Sequence, residues 1–116
     1  MRNRLIWAVV ALYAAFAAAK PLLAGTDWFV LVPLVSILAP ILFVLLHAPR
    51  QIGWANLGVF FALAFVISWS YESLSIATGF PFGTYHYTED LGWQLGTVPL
   101  LIMPAYFGVC YISWLI

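Results

Sequence analysis

The chain has 116 residues, of which 66% are hydrophobic and only 7% charged, and its mean hydropathy is +1.05. A soluble domain carries about 25% charged residues, so this chain cannot cover itself against water; it is expected to be one membrane domain over residues 1–116, with no separate soluble part. Zero net charge excludes an electrostatic footprint for nucleic acid, and a single cysteine, Cys110, excludes an internal disulfide or a multi-cysteine metal site.

A hydrocarbon core of about 30 Å needs ~20 apolar residues in a helix. The first run of that length extends from Leu5 to Leu23, behind Met1-Arg2-Asn3-Arg4. It closes on Lys20-Pro21; although Ala17-Ala18-Ala19 has small residues, an uncleaved span is favoured over a signal peptide. The second run, Trp28 to Leu46, follows Ala24-Gly25-Thr26-Asp27, where Asp27 is the expected N-cap. His47-Ala48-Pro49-Arg50-Gln51-Ile52-Gly53 reads as the next break, and the third run covers Ala55 to Thr78. The fourth extends from Val98 to the end, with Pro99 in its first turn and Pro104 a kink one turn later. Pro33 and Pro40 also fall within spans, where lipid tolerates them if freed carbonyls find partners.

The expected fold is therefore an all-α, polytopic transmembrane helical bundle of about four spans, with a polar aromatic loop between spans three and four. Arg2, Arg4 and Arg50 outweigh Lys20, which puts the N-terminus in the cytoplasm and the loop from Gly79 to Thr97 outside. The last run reaches Trp114-Leu115-Ile116 with no basic anchor, so the chain is expected to be the N-terminal part of something longer.

The third run changes character near its end. Ser68, Glu72 and Ser75 are spaced by four and three and share one helix face, with Tyr71 and Thr78 close to it. An ionisable group at a span's centre costs ~2.5–3.5 kcal/mol on insertion scales, and Glu72 sits roughly 9 Å below Thr78 at ~1.5 Å rise per residue. Such a stripe should face the bundle interior. Two readings follow for Glu72. It is a buried carboxyl holding helices together by hydrogen bonds, or an acid kept protonated by its apolar setting and able to donate that proton to something bound in the bilayer.

The loop beyond is unusual. Gly79 suits a left-handed helix end, and Phe80-Pro81-Phe82-Gly83 is too apolar for a solvated connection. Tyr85, His86 and Tyr87 read either as an interfacial aromatic belt or as part of a site with Glu72. His86 has no second histidine on its side of the membrane, since His47 belongs to the other, so no metal site is expected. Glu89 and Asp90 are either solvated or cap the Leu91-Gly92-Trp93 segment.

The string Thr78-Gly79-Phe80-Pro81-Phe82-Gly83-Thr84-Tyr85-His86-Tyr87-Thr88 lies between Glu72 upstream and, downstream, Leu91-Gly92 and Val98-Pro99-Leu100-Leu101-Ile102-Met103-Pro104-Ala105-Tyr106. Together these resemble the signature of the carotenoid-biosynthesis integral membrane proteins, which include bacterial carotenoid 1,2-hydratases and the bisanhydrobacterioruberin hydratase of haloarchaea. The likeness covers about the last 45 residues of the chain. It implies a prokaryotic cell-membrane protein, with further helices after the matching region, that hydrates a terminal C=C bond of a linear carotenoid.

Such chemistry needs a proton delivered to an alkene and water to capture the tertiary cation. On this reading Glu72, Tyr85, His86 and Tyr87 are the candidate catalytic residues. Trp69, Tyr71, Phe80, Phe82 and Tyr106 are the candidate contacts to substrate, with π-faces available to a cation. No cofactor motif is seen, and the expected partners are membrane lipid, an apolar polyene and a helical partner subunit or missing C-terminal half. Lycopene-cyclase-type ring closure, a non-catalytic carotenoid-binding subunit and, more weakly, a transporter are the competing readings.

Overall fold

The structure, a computed structural model, describes residues 2–116; Met1 and the side chain of Arg2 lie outside the described residues. Among the described residues four α-helices make up the fold: α1 (Arg2–Leu23), α2 (Leu31–Gln51), α3 (Gly53–Thr78) and α4 (Ile102–Leu115). Among the described residues, three helical segments are long and apolar enough to cross a membrane: Asn3–Leu23, Asp27–Gln51 and Gly53–Thr78. The fourth helix has 14 residues, about 21 Å at ~1.5 Å per residue.

Several predicted boundaries move. The second helix does not stop at Leu46 but continues through Pro49 to Gln51. Pro49 lies in the last turn, where the loss of one ladder bond is tolerated, and Ile52 N–H closes onto the Ala48 carbonyl at 3.0 Å. Ile52 alone then separates α2 from α3. At the other end of α2, Thr26 rather than Asp27 precedes the first turn. Asp27 lies inside a short 3-10 turn, Asp27–Val30, and the Thr26 hydroxyl donates to the Leu23 carbonyl at 2.7 Å.

The largest correction concerns the fourth run. Val98 and Pro99 are not helical; they form strand β2, paired antiparallel with β1 (Gln94–Leu95) in the register Gln94–Pro99 and Leu95–Val98. The two-residue turn Gly96-Thr97 has Gly96 at φ +68°, the positive value that tight hairpins demand at their first central residue. Because α4 begins only at Ile102, Pro104 falls in its first turn, where an N–H has no ladder partner to lose. It starts the helix instead of kinking it.

Helices in lipid are held by close packing and interhelical hydrogen bonds, since their surroundings are as apolar as their side chains. Here α4 lies against both α2 and α3, and α1 packs on the outside of α2. Gly108 of α4 is buried against Pro40; a Cβ there would stand 3.1 Å from the Pro40 Cβ and 3.4 Å from the Ile41 nitrogen. Val44, Ala48, Leu57, Phe107 and Tyr111 form the buried core. The Phe61 and Phe107 rings meet edge to face at 5.0 Å across α3 and α4. His47 Nδ1 lies 3.0 Å from the Tyr111 hydroxyl, which joins α2 to α4. These contacts hold α3 and α4 side by side, and the long loop between them closes over one end.

Candidate active site

Ser68, Glu72 and Ser75 are buried on the face of α3 turned to α4 and the loop, with Glu72 only 3% exposed. Tyr71 and Thr78 fall off this stripe and are exposed.

Local bonds explain why the loop folds back. Gly79 ends α3 in the left-handed conformation at φ +78°, and its N–H donates to the Ser75 carbonyl at 2.7 Å. A Cβ on Gly79 would come within 3.2 Å of the Thr84 hydroxyl. The Ser75 hydroxyl accepts the Phe82 N–H at 3.3 Å, and the Gly83 N–H reaches the Gly79 carbonyl at 2.9 Å. Residues 84–88 then run without helix past the buried stripe. Successive side chains of an extended segment point to opposite sides, so Tyr85 and Tyr87 turn inward while His86 is exposed.

The two inward tyrosines reach Glu72. Tyr85 and Tyr87 both donate to Oε2, Tyr87 at 3.0 Å, and Tyr106 of α4 donates to Oε1 at 2.6 Å. The Tyr85 and Tyr87 rings meet edge to face at 5.6 Å. Burial first, then the hydrogen bond to Glu72, pushes the Tyr85 phenol from its ordinary value near 10 up to about 12. The same causes, in the same order, raise Tyr87. Both therefore stay neutral donors at physiological pH. A hydrogen bond contributes ~0.5–1.5 kcal/mol net, so three of them together are of the size of the ~2.5–3.5 kcal/mol cost of an acid within a span. The immediate setting of the carboxyl is three phenol donors, one of which, Tyr106, comes from the neighbouring helix α4.

Beside the cage lies a cleft of about 310 Å³ between α3 and α4, walled by Phe60, Leu63, Ile67, Tyr71, Phe82 and Tyr106, among others. It is nearly all apolar. Glu72 does not line it; Tyr106, whose hydroxyl is bonded to Glu72, does. Tyr71 and Phe82, both on its wall, pack with ring centroids 6.5 Å apart and planes tilted by 47°.

The structure thus brings Glu72, Tyr85, Tyr87 and Tyr106 together and puts Tyr71 and Phe82 on the adjoining cleft. His86 and Phe80 stand apart, both exposed. Trp69 is a tether: its Nε1–H donates to the Leu95 carbonyl at 2.9 Å and fastens the hairpin to α3. Glu89 and Asp90 sit exposed in a 3-10 turn, Glu89–Leu91, where the Thr88 hydroxyl donates to Asp90 Oδ2 at 2.6 Å. Among the described residues no group of three or more His, Cys, Asp or Glu is placed to hold a metal ion. Sequence reasoning placed Tyr106 against substrate and missed its bond to Glu72, 34 residues earlier. The available signal was a phenol in an apolar helix, since a buried tyrosine hydroxyl needs a partner.

Chemically, three donors aimed at one carboxyl stabilise the negative charge left when a proton departs. The acid is set beside an apolar cleft in a helical bundle that has, among the described residues, three helical segments long and apolar enough to cross a membrane. The comparison with known families is specific. The chain belongs to the carotenoid biosynthesis protein family, whose profile matches residues 28–116. No curated protein and no solved structure matches the chain.

Proposed function

We propose that this protein protonates the terminal C=C bond of a linear carotenoid and that water captures the cation, giving a tertiary alcohol. The observation that carries this reading is the bond from Tyr106, a residue of the apolar cleft wall, to the caged Glu72 carboxyl. Glu72 enters the cycle carrying a proton. With the Tyr106 O–H turned from Glu72 into the cleft and the Glu72 O–H donating to the phenol oxygen in its place, the Tyr106 proton passes to the terminal alkene carbon as the Glu72 proton refills the phenol. A C–H bond forms, the π bond breaks and the tertiary carbon becomes cationic. The carboxylate left behind accepts from three phenols, an interaction strongest once the proton has gone, and therefore one that lowers the barrier. The π-faces of Tyr71 and Phe82 attract the cation. Water adds its oxygen to that carbon, and its released proton returns to Glu72 through the cluster.

His86, exposed on the loop, is assigned to the entry of water and not to the proton path. The polyene enters from lipid, between Leu63 and Ile67 on the open side of the cleft. The bundle lies in a prokaryotic cell membrane with its N-terminus in the cytoplasm, as the excess of arginine at that end supports.

A second reading has a specific observation behind it. The cleft is lined almost wholly by apolar atoms, which favours ring closure of the cation over capture by water. Expression in a host that supplies an acyclic carotenoid, followed by mass analysis, separates the two. Hydration adds one water to the mass, ring closure leaves it unchanged, and an unaltered carotenoid leaves only a binding role.

A further inference from the structure

At the end of the bundle remote from Glu72, α1 and α2 enclose a cavity of about 540 Å³ with two distinct halves. Asn3, His47, Arg50 and Gln51 form its polar end; Trp7, Val10 and Phe43 lie among its apolar walls. A second cavity of about 250 Å³, lined by Val9, Tyr13, Ala39 and Ile112, shares Val10 and Phe43 with the first and continues it along α1 and α2. From Arg50 to Ala39 the groove spans eleven helical steps, about 16 Å. That is half the ~30 Å hydrocarbon core, the depth that one lipid tail occupies.

Charge selects the head. Arg50 donates to Asn3 Oδ1 at 3.3 Å, which engages one of its five N–H donors. The chain's four carboxylates, Asp27, Glu72, Glu89 and Asp90, all follow the far ends of α1 and α3 or lie near them, so none neutralises this end. Arg4 adds a second cation to it. Basic pockets between membrane helices take anionic head groups, and an arginine fork matches phosphate oxygens in pairs.

We propose that this groove binds one anionic phospholipid, its phosphate on Arg50 and Gln51 and one acyl chain along Trp7, Val10, Phe43 and Tyr13. The inference is independent of the reaction at Glu72.

Native mass spectrometry of the intact protein released from mild detergent tests it, with phosphatidylglycerol, phosphatidylcholine and glycerol phosphate offered separately. The expected result is retention of phosphatidylglycerol in preference to phosphatidylcholine, with no retention of glycerol phosphate. Arg50→Gln should weaken that retention about tenfold, as loss of a bond worth ~1.4 kcal/mol would, and Arg50→Lys should restore part of it. Val10→Trp, which fills the tail groove and leaves the cations in place, should also expel the lipid, and it decides the matter if Arg50→Gln does not fold. Equal retention of both lipids, retention of glycerol phosphate alone, or unchanged retention in a folded Arg50→Gln or Val10→Trp protein would overturn the proposal.

Discussion

Glu72 accepts hydrogen bonds from three tyrosines and touches the cleft only through one of them, and this division of labour separates the effects of substitution. Glu72→Gln keeps the volume and removes the transferable proton. General acids contribute ~10²–10⁴-fold, so product formation should fall by at least about 10²-fold while the protein still inserts and elutes as wild type. Tyr106→Phe should lose activity comparably, because the path into the cleft is cut, yet still hold carotenoid. The raised Tyr85 phenol gives a pH test with a definite sign. The native state holds the proton more tightly than the unfolded chain, so stability is unaffected below pH 10 and declines as pH rises towards about 12. The phenolate absorbance of wild type minus that of Tyr85→Phe should show its transition near pH 12. Glu72, Tyr85 and Tyr87 were legible in the sequence, because an acid within an apolar run needs partners and the neighbouring loop offered them. His86 was not separable from them by composition. Its outward turn follows from the two-residue alternation of an extended segment, a conformation that only the folded loop reveals.

At the scale of elements, the loop and the α3–α4 seam set the geometry of the site. Gly79→Ala puts a side chain into a left-handed residue, at ~1–2 kcal/mol, and against the Thr84 hydroxyl at 3.2 Å. The thermal midpoint in detergent should fall and activity with it, because the register of Tyr85 and Tyr87 depends on that turn. Gly108→Val should be at least as costly, ~1–3 kcal/mol by overpacking against Pro40, and should leave the loop itself intact. The cleft can be read through Cys110, an exposed thiol on its wall. A bound linear carotenoid should slow alkylation of Cys110 several-fold, and equal rates with and without carotenoid would place the polyene elsewhere. Helix identity was readable from apolar run length, but ends were not. Pro49 and Val98-Pro99 look alike as breakers, yet one sits in a last helical turn and the other in a hairpin fixed by Gly96 and by the Trp69 bond to Leu95. Contacts so distant along the chain leave no local trace.

Across the whole molecule, the two ends of the bundle differ in chemistry. One carries the carboxyl, its phenols and the cleft; the other carries Arg4, Arg50 and the His47–Tyr111 bond. The chain belongs to the carotenoid biosynthesis family, and the proposed reaction places the polyene at the first end. The decisive observation is the mass of the carotenoid recovered when wild-type and Glu72→Gln membranes are incubated with an acyclic precursor in deuterated water. Wild type should give a product heavier by one water, one of whose two added hydrogens is a carbon-bound deuterium, and Glu72→Gln should return the precursor unchanged. The same deuterated alcohol from Glu72→Gln would show that the proton comes from elsewhere and would contradict the role given to this carboxyl.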